Sequence, residues 1–135
     1  MMDNIFRVIK KPIFIIGTGR CGSTLLYRIL VTHPELAFLS NINEKFNSMS
    51  SIILRLNVIF NKILLKKNIV KPSEAYQLFS SVFPGYAQPI RTLKATEVTP
   101  TIRKGIKYLV GKSLKHERKE RFLYKYTGWS RIGFF

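Results

Sequence analysis

The sequence has few acidic residues, a single cysteine and no long apolar segment. Seven Asp and Glu residues stand against 23 Lys and Arg residues, which gives a formal net charge of +16 over 135 residues. One cysteine, Cys21, excludes an internal disulfide and fits a reducing compartment, so we expect a cytoplasmic protein. The apolar run Ile13–Ile16 is too short for a signal-peptide core or a membrane span. No Cys/His grouping has the spacing of a zinc site.

The surplus of positive charge favours polyanionic partners. Nucleotides, sulfated or phosphorylated substrates, nucleic acid and acidic membrane surfaces all fit a charge of +16, and charge alone does not choose among them. The hydrophobic content of 46% excludes a disordered tail. At this length the chain is expected to build one domain with a real core.

The first 40 residues show the alternation of a βαβ unit. Residues 12–16 form an apolar run typical of a buried strand in a parallel sheet. A helix is expected over 23–32, ending before Pro34, and a second strand over 35–40. Helical spacing predicts that Leu25, Leu26, Ile29 and Leu30 face the core while Tyr27, Arg28 and Thr32 face elsewhere.

Further elements are expected along the rest of the chain. The apolar segment 52–70 carries spaced basic residues, which indicates a surface helix packed on a core or a helix lying on a membrane surface. A short helix is predicted over 73–82. Thr99 and Pro100 give the start of another helix, with 112–120 as its solvated, charged end. A strand is predicted over 122–126, so the class is α/β with a parallel sheet.

The turn between the first strand and first helix carries the clearest chemical signal. Gly17–Thr24 can be aligned with the phosphate-binding pattern G-x-x-x-x-G-K-[ST], in which Gly17, Gly22 and Thr24 fit. Ser23 stands where the lysine belongs, and Arg20 is the only cation of the turn. Glycines allow the backbone to approach an oxyanion, and an arginine can hold it with two hydrogen bonds. The turn therefore suits an anion bound without the usual Mg·ATP arrangement.

Three segments resemble the sulfotransferase family. Arg20-Cys-Gly-Ser-Thr-Leu-Leu26 is similar to the family's 5′-phosphosulfate-binding loop, and His33-Pro34 follows the first helix as in the glycan- and protein-tyrosine-type enzymes. Residues 121–132 resemble the family's strand that ends in a lysine before a helix. The resemblance implies a P-loop-like three-layer sandwich with a central parallel sheet. Residues 1–135 would then be the N-terminal portion of a single domain, truncated at its C-terminus.

The resemblance also implies a reaction and a set of residues. The reaction would move a sulfuryl group from 3′-phosphoadenosine 5′-phosphosulfate to a hydroxyl or amine, without a metal. Gly19–Thr24 (Gly19, Arg20, Cys21, Gly22, Ser23 and Thr24) would bind the donor, and Arg20 would also steady charge on the bridging oxygen. Lys125 matches the family's catalytic lysine, although a lysine on an edge strand could also point to solvent. Glu44 is the preferred candidate for the base, and Glu97 is a further option.

Two other functions remain open from the sequence. A P-loop kinase or NTPase would bind ATP with Mg²⁺, and a basic non-enzymatic module would bind nucleic acid or acidic membrane. Under the sulfotransferase interpretation the partners are a nucleotide sulfate donor and an unidentified acceptor. No nucleic acid is then expected, and contact with a membrane surface is left open. We expect the chain to be inactive without the segment that would bind the donor's 3′-phosphate.

Overall fold

The computed structural model of the protein describes residues 9–41, 71–88, 92–128 and Phe134. Within these residues it contains three strands, three α-helices and a short 3-10 turn at Ala95–Glu97. In chain order the helices and strands are β1 Ile13–Gly17, α1 Ser23–Leu30, β2 Leu36–Phe38, α2 Tyr76–Val82, α3 Pro100–Glu117 and β3 Arg121–Thr127.

The three described strands form a parallel sheet in which β3, the last of them in sequence, lies in the centre. The order is β1-β3-β2, and β3 is parallel to both neighbours. Gly17 at the end of β1 is level with Thr127 at the end of β3. Lys125 therefore lies on a strand that is paired on both sides, and not on an edge strand. The carboxyl ends of β1 and β3 meet at one edge, which is where parallel sheets usually bind ligands.

Helices cover both faces of this sheet. Alternate residues of β3 point to opposite faces, and each set packs against different helices. Leu123 belongs to a buried cluster with Tyr27 and Val31, so α1 covers the face of the sheet to which Leu123 points. Tyr124 belongs to a second cluster with Phe79 of α2 and other residues of α2 and α3. The result is a three-layer arrangement with a parallel sheet in the middle. The predicted α/β fold is confirmed.

The orientation of α1 differs from the sequence prediction. Leu25, Leu26 and Ile29 are 66%, 48% and 58% exposed, whereas Tyr27 is only 2% exposed. Tyr27 and Val31 are one helical turn apart and meet the sheet together, and the Tyr27 hydroxyl donates to the Ser73 carbonyl at 3.5 Å. Helical periodicity in the sequence identifies the apolar stripe of α1. In the structure, however, the side chain that enters the core is that of Tyr27, which can be buried because its hydroxyl has a hydrogen-bond partner.

The later elements agree with their predictions except at some of the ends. The Thr99 hydroxyl accepts a hydrogen bond from the Ile102 amide at 3.2 Å, and Pro100 occupies the first helical position of α3. The helix predicted from residue 73 begins three residues later, at Tyr76. The helix predicted over 52–70 lies outside the described residues. Among the residues that are described, no helix has both the length and the apolar character needed to cross a membrane.

Candidate functional site

The turn from β1 into α1 has a backbone conformation that needs its glycines. Gly22 precedes the helix with φ of 80°, in the left-handed region that favours glycine. A Cβ on Gly17 would lie 2.7 Å from the Cys21 sulfur, so a side chain there would collide with the turn. Arg20 also has a positive φ, of 66°, although it is not glycine. Such strain at a non-glycine residue is typical of functional turns.

The start of α1 has no side-chain cap. The amides of Leu25 and Leu26 both donate to the Gly22 carbonyl, and no side chain caps this end of the helix. Gly22 occupies the capping position, so Ser23 and Thr24 are the first two residues of the helix and their hydroxyls do not cap it. The Thr24 amide has no backbone acceptor among the described residues. Unpaired amides at a helix start attract anions.

Lys125 reaches this helix start from the central strand. It is level with Ile15 of β1 and shares its face of β3 with Leu123, the face that α1 covers. The residue is only 5% exposed, and its Nζ donates to the Thr24 hydroxyl at 3.2 Å. Two residues 101 positions apart in sequence are thus hydrogen-bonded at the carboxyl edge of the sheet.

These groups line one open cleft of about 540 Å³. The turn and α1 supply Arg20, Gly22, Ser23, Thr24, Leu25 and Arg28. The opposite side is formed by Glu74, Lys125 and Thr127. The cleft therefore combines three cationic side chains with one carboxylate and with an open helix N-terminus. Such a combination favours an anionic ligand.

Glu74 is a residue of the cleft that the sequence did not reveal. Its Oε1 accepts hydrogen bonds from Lys125 Nζ and from the Thr127 hydroxyl, the latter at 2.9 Å. Its Oε2 accepts from the Thr127 amide at 2.9 Å and from the Tyr76 hydroxyl. Burial alone would raise the pKa of Glu74, but the hydrogen bonds from Lys125, Tyr76 and Thr127 outweigh it and hold the pKa below its usual value. Glu74 is therefore an ionised partner of Lys125.

Long-range pairing explains why no local pattern predicts Glu74. Ser40, just after β2, forms an antiparallel bridge with Pro72. The Ser73 amide also donates to the Leu39 carbonyl at 2.9 Å. This contact brings the segment before α2 to the carboxyl edge of the sheet. From the sequence alone, Glu74 is only an acidic residue near the start of a predicted short helix.

Three of the described residues that were predicted for the site do not line the cleft. Gly19 and Cys21 are exposed in the turn but do not line the cleft. Hydrogen bonds from Ser23 lower the pKa of the Cys21 thiol. Glu97 lies in the 3-10 turn and accepts a hydrogen bond from the Lys94 amide at 2.8 Å, away from the cleft lining. Glu44 lies outside the described residues.

Comparison with known proteins agrees with this geometry. A model of the sulfotransferase family matches residues 12–127, a range that contains β1, the turn, α1 and the whole of β3. No curated protein and no solved structure matches the chain. Because the match extends over most of the sequence and includes every residue that lines the cleft, the chain belongs to the sulfotransferase family.

Proposed function

We propose that the protein transfers a sulfuryl group from 3′-phosphoadenosine 5′-phosphosulfate to a hydroxyl or amine acceptor. Membership of the family supports sulfuryl transfer in general. The observation that carries the proposal is the contact of Lys125 with Thr24 at the open start of α1, in one cleft with Arg20. A helix N-terminus and converging cations are what a phosphosulfate group requires.

The turn would bind the donor through its 5′ end. The Ser23 and Thr24 hydroxyls and the Thr24 amide are suited to the 5′-phosphate, because neither hydroxyl caps the helix and the amide has no backbone acceptor among the described residues. The Arg20 guanidinium is planar and can hold two oxygens of a phosphate or sulfonate at once. Arg28 lies one helical turn after Thr24 and adds positive charge to the same wall.

The transfer step moves charge onto the leaving nucleotide. The acceptor oxygen or nitrogen forms a bond to sulfur, and the bond from sulfur to the bridging oxygen breaks. The 5′-phosphate of the product gains the negative charge that develops on that oxygen. Lys125 and Arg20 would stabilise this charge, and fixed cations in a partly buried site do so without reorganising. The acceptor's proton goes to a base, for which Glu44 remains our proposal.

A titration with 3′-phosphoadenosine 5′-phosphate tests the role of the turn. Losing one arginine that binds an anion by charge-assisted hydrogen bonds should weaken binding by about 10- to 100-fold, so Arg20→Ala should show that loss in calorimetry. Arg103→Ala is the matched control, because Arg103 is exposed on α3 and does not line the cleft. Equal affinities of the two variants would remove the turn from the proposal.

Calorimetry with ATP distinguishes the sulfotransferase proposal from the kinase or NTPase interpretation. ATP should bind no better with Mg²⁺ than without it, since Ser23 replaces the lysine that reaches the terminal phosphates in P-loop enzymes. Tight ATP binding that depends on Mg²⁺ would favour a kinase or NTPase instead.

A further inference from the structure

We propose that Glu74 is a positioning residue that holds the Lys125 ammonium against the start of α1. The proposal rests on the function proposed above, because it assigns to Glu74 the task of orienting the cation that would stabilise the leaving group. It also separates Glu74 from the base that takes the acceptor's proton. Three features of the structure support this role: the fixed backbone of Glu74, the hydrogen bonds to its carboxylate and the hydrogen bonds of Lys125.

The backbone of Glu74 is fixed from both sides. Its carbonyl accepts a hydrogen bond from the Tyr124 hydroxyl at 2.8 Å, and that hydroxyl lies 2.9 Å from the Tyr86 hydroxyl. The next residue, Ala75, is fully buried with φ of 47°, and its amide donates to the Ser73 hydroxyl at 3.0 Å. A buried alanine in the left-handed region persists only where its surroundings enforce it. Glu74 is thus presented to the cleft from a rigid turn.

Both carboxylate oxygens of Glu74 already accept hydrogen bonds from the protein. An ionised carboxylate offers about four lone-pair positions. Lys125 Nζ, the Tyr76 hydroxyl, and the amide and hydroxyl of Thr127 all donate to it. A general base needs an oxygen that can approach the substrate's proton. The carboxylate of Glu74 is instead surrounded by the protein's own donors.

Lys125 keeps one donor for a ligand. An ammonium group has three N–H donors. One is directed at Glu74 and one at the Thr24 hydroxyl, while the side chain also lines the cleft. Because the first two directions are fixed, the third N–H has a defined direction as well. Without Glu74, the ammonium would lose both its countercharge and this orientation.

A double-mutant cycle of nucleotide binding tests the proposal. The affinity for 3′-phosphoadenosine 5′-phosphate is measured by calorimetry for the full chain and for its Glu74→Gln, Lys125→Ala and doubly substituted variants. If Glu74 acts through Lys125, Glu74→Gln should weaken binding at least about fivefold alone, yet change it less than about twofold when Lys125 is already alanine. An equal loss of affinity in both backgrounds would overturn the proposal, because Glu74 would then act independently of Lys125.

A labelling experiment tests the contact without any activity. Amine-reactive labelling followed by peptide mass spectrometry should modify Lys125 more slowly than the exposed Lys107 in the wild type. Glu74→Gln should accelerate labelling of Lys125 by about tenfold and leave Lys107 unchanged. Glu120→Gln is the control, because Glu120 pairs with Lys10 at the surface. Equal labelling of Lys125 in all three proteins would refute the positioning role.

The two experiments distinguish failure of the inference from failure of the proposed function. A wild type that does not bind 3′-phosphoadenosine 5′-phosphate counts against the function, whereas the labelling result judges the Glu74–Lys125 contact by itself. Glu74→Asp guards against a folding defect, because it retains the charge in a shorter side chain. Faster labelling in Glu74→Gln than in Glu74→Asp supports the proposal, and equal acceleration in both contradicts it.

Discussion

At Glu74, four hydrogen-bond donors surround one carboxylate beside the largely buried Lys125. The side chains of Lys125 and Glu74 are 7% and 19% exposed, so water screens their attraction poorly. Removing one partner of a buried ion pair is more damaging than replacing both, because the remaining charge stays buried without compensation. We therefore expect Glu74 and Lys125 to tolerate substitution poorly as single residues, whatever they contribute to chemistry.

The pH dependence of stability provides a prediction at the same residue. The pKa of Glu74 in the folded protein is below its ordinary value of 4.5. A carboxyl group of this kind stabilises the fold fully above the unfolded pKa, and its contribution is lost as pH falls through the folded pKa. The free energy of unfolding of the wild type should thus fall more steeply below pH 4.5 than that of Glu74→Gln.

Urea unfolding over about pH 6 to pH 3 measures this difference. The gap between wild type and Glu74→Gln should narrow toward the acid end. Glu120→Gln, which removes an exposed carboxylate, should follow the wild type. Parallel curves for wild type and Glu74→Gln would contradict the lowered pKa.

Part of the cleft could be predicted from the sequence. Arg20, Ser23 and Thr24 are contiguous in a turn with a recognisable glycine pattern, and Lys125 was assigned to the same site by resemblance to the family. The structure brings all four to one cleft, while what they bind stays a prediction. Glu74 could not be predicted, because its segment reaches the sheet only through the pairing of Pro72 with the distant Ser40.

At the scale of the elements, the end of α3 shows why charge alone misleads. The sequence predicts a solvated end over residues 112–120, yet only 12% of the Glu117 side chain is exposed. Its Oε1 accepts a hydrogen bond from the Phe38 amide at 3.3 Å, and Lys119 Nζ donates to the Leu36 carbonyl at 2.7 Å. The two side chains, themselves 2.9 Å apart, provide hydrogen-bond partners for β2. The pattern of charged residues in the sequence does not show which of them will form hydrogen bonds with a strand.

The residue that ends α3 offers a stabilising substitution. Arg118 is exposed and adopts φ of 54°, the conformation that glycine adopts without steric penalty at helix ends. Arg118→Gly should raise the free energy of unfolding by about 1 kcal/mol, because a left-handed conformation is unfavourable for a residue with a Cβ. Thermal unfolding measures the change. Arg103→Gly, inside the same helix, should do the opposite, and a loss of stability in both variants would show that the Arg118 side chain matters more than its backbone.

At the scale of the molecule, β3 contacts the other two described strands and contributes to both buried clusters. It pairs with both other strands, and its two faces belong to the two buried clusters. It also carries Lys125 into the cleft. The sheet, both cores and the candidate site therefore depend on the same seven residues.

Deleting β3 should consequently abolish the fold as a whole. A chain ending at Glu120 should show no cooperative urea transition and little ordered structure by circular dichroism, because β1 and β2 then have no common partner. A chain ending at Gly128 is the matched control. It keeps β3 and loses the packing of Phe134 against Phe83 and Tyr86, so it should unfold cooperatively at lower urea. A cooperative transition in the shorter chain would show that residues before β3 fold independently.

The central position of β3 also has a consequence for biosynthesis. β3, which pairs with both β1 and β2, is the last of the three strands to be translated. β1 and β2 therefore have no strand to pair with while the ribosome is still synthesising β3. Contacts between segments so distant in sequence close slowly. The exposed apolar segments of the nascent chain are thus available to chaperones until residue 127 has left the exit tunnel, and only then can the cleft lined by Arg20 and Lys125 form.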